Sequence, residues 1–162
     1  MNLGDTLPTV SRPLSPMCKM PAMAPSESDR ILNGALSVMR AAMPDAWAIY
    51  VYGSFARGEE WPESDIDLAV LLPPTQEIPN LLDLMGKIHQ QTGRDTDVVN
   101  LRKVGNVLRH EVLADGRSLY ISRPDLVLEW EASAMSGCAR HRDEIRGILE
   151  NFRPIDLVTE HQ

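Results

Sequence analysis

Apolar and polar positions alternate along this chain with two different periods, and the switches between them outline its elements. Ile31, Ala35, Val38 and Ala42 recur at helical spacing behind Ser26-Glu27-Ser28-Asp29, which has the form of a capping box, and Pro44 stops the run. AWAIYVY (46–52) is rich in aromatic and β-branched residues and predicts a strand. A Gly53-Ser54 turn then leads into a short helix broken by Gly58 and Pro62. DIDLAVLL (65–72) reads as a second strand, closed by Pro73-Pro74. Ile78, Leu81, Leu82, Met85 and Ile88 mark a helix, and TDVVNL (96–101) a third strand. Val104, Leu108 and Val112 continue into a helix that closes at Asp115-Gly116, and SLYIS (118–122) predicts a short edge strand. The last helix starts at Ser122 and runs to about Asn151, with Val127, Trp130, Ala134, Cys138, Ile145 and Ile148 as its apolar stripe.

These elements compose an α/β (α+β) domain over 26–122, a small mixed β-sheet flanked by helices. A long C-terminal helix over 123–151 packs on that domain or on a partner. Residues 1–25 hold five prolines and no apolar period, which predicts a disordered or non-native tail, and 152–162 form a second tail.

Composition narrows the classes. At 162 residues the chain suits one domain. Sixteen Lys and Arg stand against 23 Asp and Glu, a net charge of -7, which weighs against a dedicated nucleic-acid binder with a basic face. The acidity allows a basic protein partner, although solubility is its more ordinary role. Cys18 and Cys138 are far apart in sequence, so no structural disulfide is expected and a reducing cytoplasm is the predicted location. No stretch reaches the roughly 20 apolar residues of a membrane helix, and the first 25 residues lack the apolar core of a secretory signal.

The chemistry is concentrated in YGSFARGEEWPESDIDLAV (52–70). Strand side chains alternate between faces, so Asp65 and Asp67 share one face while Ile66 and Leu68 point into the core. Paired carboxylates repel when ionised, and a divalent cation with hard oxygen ligands, Mg²⁺ foremost, relieves the repulsion. A third carboxylate on a neighbouring strand completes such a site. Asp97, which opens DVVNL, is the best placed, with Asp95 as the alternative if the strand begins differently. Gly53 permits a tight turn and close backbone approach, and a helix beginning at Ser54 offers free N–H groups and a hydroxyl to phosphate. Arg57 follows on the first turn and adds charge near the phosphates, or is an ordinary surface residue. Phosphate on one side and metal-binding carboxylates on the other describe a nucleoside triphosphate site.

A Gly-Ser followed ten residues later by Asp-x-Asp arises by chance in on the order of one chain in several hundred. The stretch GSFARGEEWPESDIDLAVLL resembles the G-S-x10-D-x-D signature of nucleotidyltransferases of the DNA polymerase β superfamily, and within it the minimal nucleotidyltransferase (MNT) branch. The resemblance spans roughly 30–122 and implies the nucleotidyltransferase fold. It implies that Gly53 and Ser54 bind nucleotide phosphates and that Asp65 and Asp67 coordinate Mg²⁺. It further implies that Asp97, in a strand of the family's D-h-V-x-L form, serves as third ligand and base. Single-domain MNT proteins resemble the antitoxins of HEPN/MNT toxin–antitoxin pairs, which are understood to move AMP from ATP to a tyrosine of a HEPN ribonuclease toxin. The resemblance therefore implies an adenylyltransferase with ATP as substrate, Mg²⁺ as cofactor and a separate HEPN chain as partner, and implies neither membrane nor direct nucleic-acid binding. Arg140 and His141 are adjacent and lack the spacing of a HEPN motif, so the partner is expected on another chain. Two alternatives stand beside this reading: transfer to a small molecule of the aminoglycoside type, and a binding-only antitoxin.

Other residues carry weaker signals. His89, His110, His141 and His161 show no metal-ligand spacing. Trp47 and Trp130 are expected to pack in the core. Trp61 lines the nucleotide site or sits on a surface loop, and Glu59, Glu60 and Glu63 form a solvated cluster or meet a basic partner. Arg102 and Lys103 are candidate phosphate contacts, weighed against ordinary charges at a helix start.

Overall fold

The computed structural model describes the backbone of residues 25–151, and side chains up to Gly137. Nine elements follow in order: α1 (Glu27–Ala42), β1 (Ala48–Tyr52), α2 (Gly53–Arg57), β2 (Ile66–Leu71), α3 (Leu81–Thr92), β3 (Thr96–Asn100), α4 (Asn106–Asp115), β4 (Arg117–Ile121) and α5 (Pro124–Asn151). No helix among the described residues is long and apolar enough to cross a membrane.

The capping box at Ser26 forms as its sequence predicts. The Asp29 N–H donates to Ser26 Oγ at 3.0 Å, and the Ser26 N–H donates back to the Asp29 carboxylate at 3.2 Å. The buried stripe of α1 is Leu32, Ala35 and Met39. Ile31, Val38 and Ala42, expected at its centre, flank it and are only partly buried. The stripe is one residue out of phase with that expectation because a helix face wide enough to meet both a sheet and α3 accepts two neighbouring apolar rows.

The four strands form one mixed sheet in the order β3-β2-β1-β4. β1 lies antiparallel to β2 and β4, and β2 lies parallel to β3. Ile49, Val51, Ile66, Leu68, Val70 and Val98 face the core beneath α1 and α3. Tyr50, Tyr52, Ala69 and Leu71 face the opposite cluster, closed by Val112 of α4 and Val127 of α5. Two packed faces account for the near-continuous apolar reading of β1 and β2.

α3 begins at Leu81 behind Asn80, whose side chain accepts from the Asp83 N–H, so Ile78 precedes the helix. Its buried residues are Leu84 and Ile88, while Leu82 is 81% exposed, contrary to the expected stripe. A Leu81-Leu82-Leu84-Met85 cluster cannot reveal by itself which leucine faces inward. α5 begins at Pro124, two residues beyond the expected Ser122, because proline sets the first-turn backbone and its missing N–H costs nothing there. The Tyr50 hydroxyl donates to Glu131 at 2.6 Å and ties α5 to the sheet. The two predicted tails apart from Pro25, with Cys18 and His161 in them, and the side chains of Cys138, His141, Ile145 and Ile148 lie outside the described residues.

Candidate active site

One row of side chains crosses three strands at the end of the sheet where β1 finishes and β2 begins. Tyr52 on β1 pairs with Asp67 on β2, and Asp67 pairs with Asp97 on β3. Neighbouring strands lie about 4.8 Å apart, so the three residues stand side by side on one face. Asp65 precedes the first residue of β2 and lies roughly 7 Å along the strand from Asp67. Ile66 between them is fully buried on the other face, as alternation requires.

Burial divides the carboxylates. Asp67 is half-buried, whereas Asp65 and Asp97 are exposed. Burial first, then the charges of Asp97 and Asp65, hold the Asp67 carboxyl above the usual carboxylate range, with Glu111 adding to the effect and Arg57 opposing it. The phenol of Tyr52 is pushed up to about 12, by burial first and then by Asp67, Asp97 and Glu111. Among the described residues no three Asp, Glu, His or Cys groups converge closely enough to form a ready-made metal cage.

Gly53 opens α2 directly behind the row, with φ at +65°. A Cβ at this position would lie 2.2 Å from Asp67 Oδ2, so glycine is required both by the backbone and by the carboxylate packed against it. α2 is a single turn that ends in the left-handed Gly58, whose N–H returns to the Ser54 carbonyl. Ser54 is half-buried in the first turn, where helical N–H groups lack intrahelical acceptors. Arg57, on the same turn, holds Glu59 at 2.9 Å with both side chains well exposed.

The remaining sequence-level candidates separate from this row. Asp95 pairs with His89 at 3.0 Å on the α3 side, which draws it away from Asp67. Arg102 does not approach the row; its guanidinium stacks between Trp47 and Trp130, and Lys103 pairs with Glu77. The two tryptophans are therefore partly buried at the margin of the second cluster rather than central to it. Trp61 sits in the spacer loop, 76% exposed and beside α1, with Arg94 donating to its carbonyl at 3.2 Å. Glu60 accepts from Ser28 and Glu59 from Arg57, so the expected solvated cluster is divided between partners.

Glu111 is a charge beside the row that the sequence did not mark. Because α4 packs on both β1 and α2, its charge acts on Tyr52, Asp67 and Arg57. No motif offset marks it, and only the docking of α4 reveals it.

Comparison with known proteins agrees with this arrangement. Residues 41–125 match the model of the family described as Polymerase beta, Nucleotidyltransferase. The chain is 31% identical over 93 residues to the protein adenylyltransferase MntA of Shewanella oneidensis, covering 57% of this chain and 67% of that one. It is similar to a crystal structure of a toxin–antitoxin with AMP-PNP, at 28% identity and a TM-score of 0.65, covering 74% of this chain and 95% of that chain. It is also similar to a structure of a tri-AMPylated Shewanella oneidensis HEPN toxin in complex with MNT antitoxin, at 25% identity and a TM-score of 0.62, covering 76% and 97%. With the row of carboxylates behind a Gly-Ser turn inside the matched segment, the chain belongs to the polymerase beta nucleotidyltransferase family.

Proposed function

We propose that this protein is the MNT antitoxin of a HEPN/MNT pair, an adenylyltransferase that moves AMP from ATP to a tyrosine of a HEPN toxin. The observation that carries the reading is the pairing of Asp67 with Asp97 beside Gly53, in a chain similar to an adenylyltransferase and to antitoxins in complex with their toxins. β3 is an edge strand, so Asp97 stands exposed at the rim of the sheet, where a side chain of another folded protein can reach it. Asp67 is recessed.

The carboxylates suit Mg²⁺ in donor chemistry, without closing into a cage by themselves. Their oxygens are hard donors, and Asp67 is held above the usual carboxylate range partly by Asp97 and Asp65, a repulsion that a divalent cation relieves. Asp65, Asp67 and Asp97 are the residues assigned to hold it. When bound, Mg²⁺ supplies positive charge to the triphosphate and to the departing pyrophosphate.

The chain's own residues do the rest. Gly53 and Ser54 receive the phosphates, the absent Cβ letting them approach the backbone next to Asp67. Arg57 adds charge from the same turn, in exchange for its pairing with Glu59. Asp97 accepts the proton of the incoming tyrosine hydroxyl, whose oxygen then attacks the α-phosphorus. The bond to the bridging oxygen breaks, and pyrophosphate leaves with that electron pair. Tyr52 keeps its proton throughout the neutral range and so does not act as the base.

The test is incubation with ATP, Mg²⁺ and a HEPN toxin, beside a panel of aminoglycosides. Label on the toxin supports the proposal, and label on an aminoglycoside replaces it with small-molecule transfer. An Asp67→Ala protein that still neutralises the toxin in cells replaces it with neutralisation by binding alone.

A further inference from the structure

At the opposite end of the sheet, on the order of 15 Å from the carboxylate row, aromatic and guanidinium groups are stacked in a fixed order. The Arg102 guanidinium lies 4.9 Å from the centroid of the Trp47 ring and 5.7 Å from that of Trp130, and the Arg109 guanidinium lies 5.9 Å from Trp130. Three of the four are anchored by hydrogen bonds. The Trp47 backbone N–H donates to the Leu71 carbonyl at 2.8 Å, and its backbone carbonyl accepts from the Ser122 N–H at 2.8 Å. Arg102 Nε donates to the Leu72 carbonyl at 2.6 Å. Arg109 donates to the Leu101 and Val104 carbonyls and to Asn106 Oδ1.

The forward side is open. Arg102, Arg109, Trp130, Ser133, Ala134 and Gly137 line a groove of about 260 Å³. Among the described residues, no acceptor takes either terminal amino group of Arg102, and no carboxylate pairs with Arg102 or Arg109. A partly buried guanidinium with no anion beside it among the described residues is costly, and burial lowers its proton affinity. Stacking on two indoles offsets only part of that cost.

We propose that this groove is a second docking site, taking the carboxylate of an acidic residue on a partner polypeptide. Two observations favour a carboxylate. The guanidinium lies over two indole rings with its Nε held by the Leu72 carbonyl, which leaves its terminal amino groups as the fork that a carboxylate meets in bidentate fashion. The groove is also a positive spot on a chain of net charge -7, which disfavours a polyanion such as nucleic acid while leaving room for a single acidic side chain. The floor suits a polypeptide: Leu126, Trp130, Ser133, Ala134 and Gly137 share one stripe of α5, and a Cβ at Gly137 would meet nothing within 4 Å. The occupant runs along that stripe, with its acidic side chain turned down to Arg102. The site is separate from the carboxylate row and does not depend on the reaction there.

The full-length protein carries its own reporter, because Trp47 and Trp130 flank Arg102 while Trp61 lies beside α1. The indole N–H signals are followed by NMR during titration with a short peptide of alternating Glu and Ser, its Gln counterpart, and inorganic phosphate, all at matched ionic strength. The Glu peptide shifts Trp47 and Trp130 saturably and leaves Trp61 in place, and the Gln peptide shifts none. Ser133→Glu, an exposed substitution that places a competing carboxylate in the groove, weakens the Glu peptide at least fivefold. Equal shifts with the Gln peptide, tighter binding of phosphate, or no saturable shift would each overturn the proposal.

Discussion

Gly53 and Asp67 are in direct contact across the β1–β2 pair, and the missing side chain of one is the space occupied by the carboxylate of the other. The Gly-Ser turn and the Asp pair are thus one packed unit rather than two motifs at a fixed spacing. Gly53→Ala should therefore damage both halves at once. The positive φ alone costs an alanine about 1 kcal/mol, and the Cβ must displace Asp67. Transfer of AMP is expected to fall by about 100-fold or more, the scale set by a displacement near 1 Å at a reacting centre, with only a small drop in melting temperature. Steady-state transfer and a thermal melt on the same preparation check it.

Asp67→Asn separates chemistry from stability. Because the folded protein holds the Asp67 carboxyl above the usual carboxylate range, folding binds that proton more tightly than the unfolded chain does. The ionised group therefore subtracts stability at neutral pH, and the loss is relieved as pH falls through the raised folded value and below the unfolded one. In EDTA the variant should melt at or above the wild-type temperature at pH 7, with the gap closing on acidification. Added Mg²⁺ should raise the melting temperature of wild type and not of the variant, and AMP transfer should be lost.

Asp29 carries the opposite sign. Its hydrogen bonds from the Ser26 side chain and backbone hold its carboxyl below the usual range, so its contribution is present above the unfolded value and is lost as pH falls through the folded one. Ser26→Ala removes the cap at a cost of about 1 kcal/mol at neutral pH. The penalty should shrink in acid, measured by urea denaturation across the pH range.

Tyr50→Phe deletes the hydroxyl that donates to Glu131. A hydrogen bond to a charged partner contributes about 1.5–3 kcal/mol, and the loss should appear as faster amide exchange along the first turns of α5. Exchange in α1 should stay unchanged, because α1 packs on the other face of the sheet.

Much of this was legible in the sequence because the informative residues are those whose local chemistry admits few environments. The Ser26–Asp29 box, the Gly53 turn and the Asp65–Ile66–Asp67 alternation each specify a local geometry, and the structure has all three. Asp97 fell in the register opposite Asp67, whereas Asp95 found His89. What stayed hidden depends on tertiary docking. The inward leucine of α3, the stacking of Arg102 and the approach of Glu111 are set by how helices sit on the sheet, which no spacing encodes. Arg102 is the clearest case. A cation after a strand reads as a phosphate contact until two tryptophans, 83 residues apart in sequence, are seen to close around it.

The most direct test is intact-mass analysis of a HEPN toxin after co-expression with wild type, Asp65→Asn and Asp67→Asn. Wild type should add whole AMP increments to a toxin tyrosine, and both variants should leave the toxin unmodified while remaining folded. A toxin of unmodified mass in a stable complex with wild type, or equal modification by the Asp variants, would contradict the account.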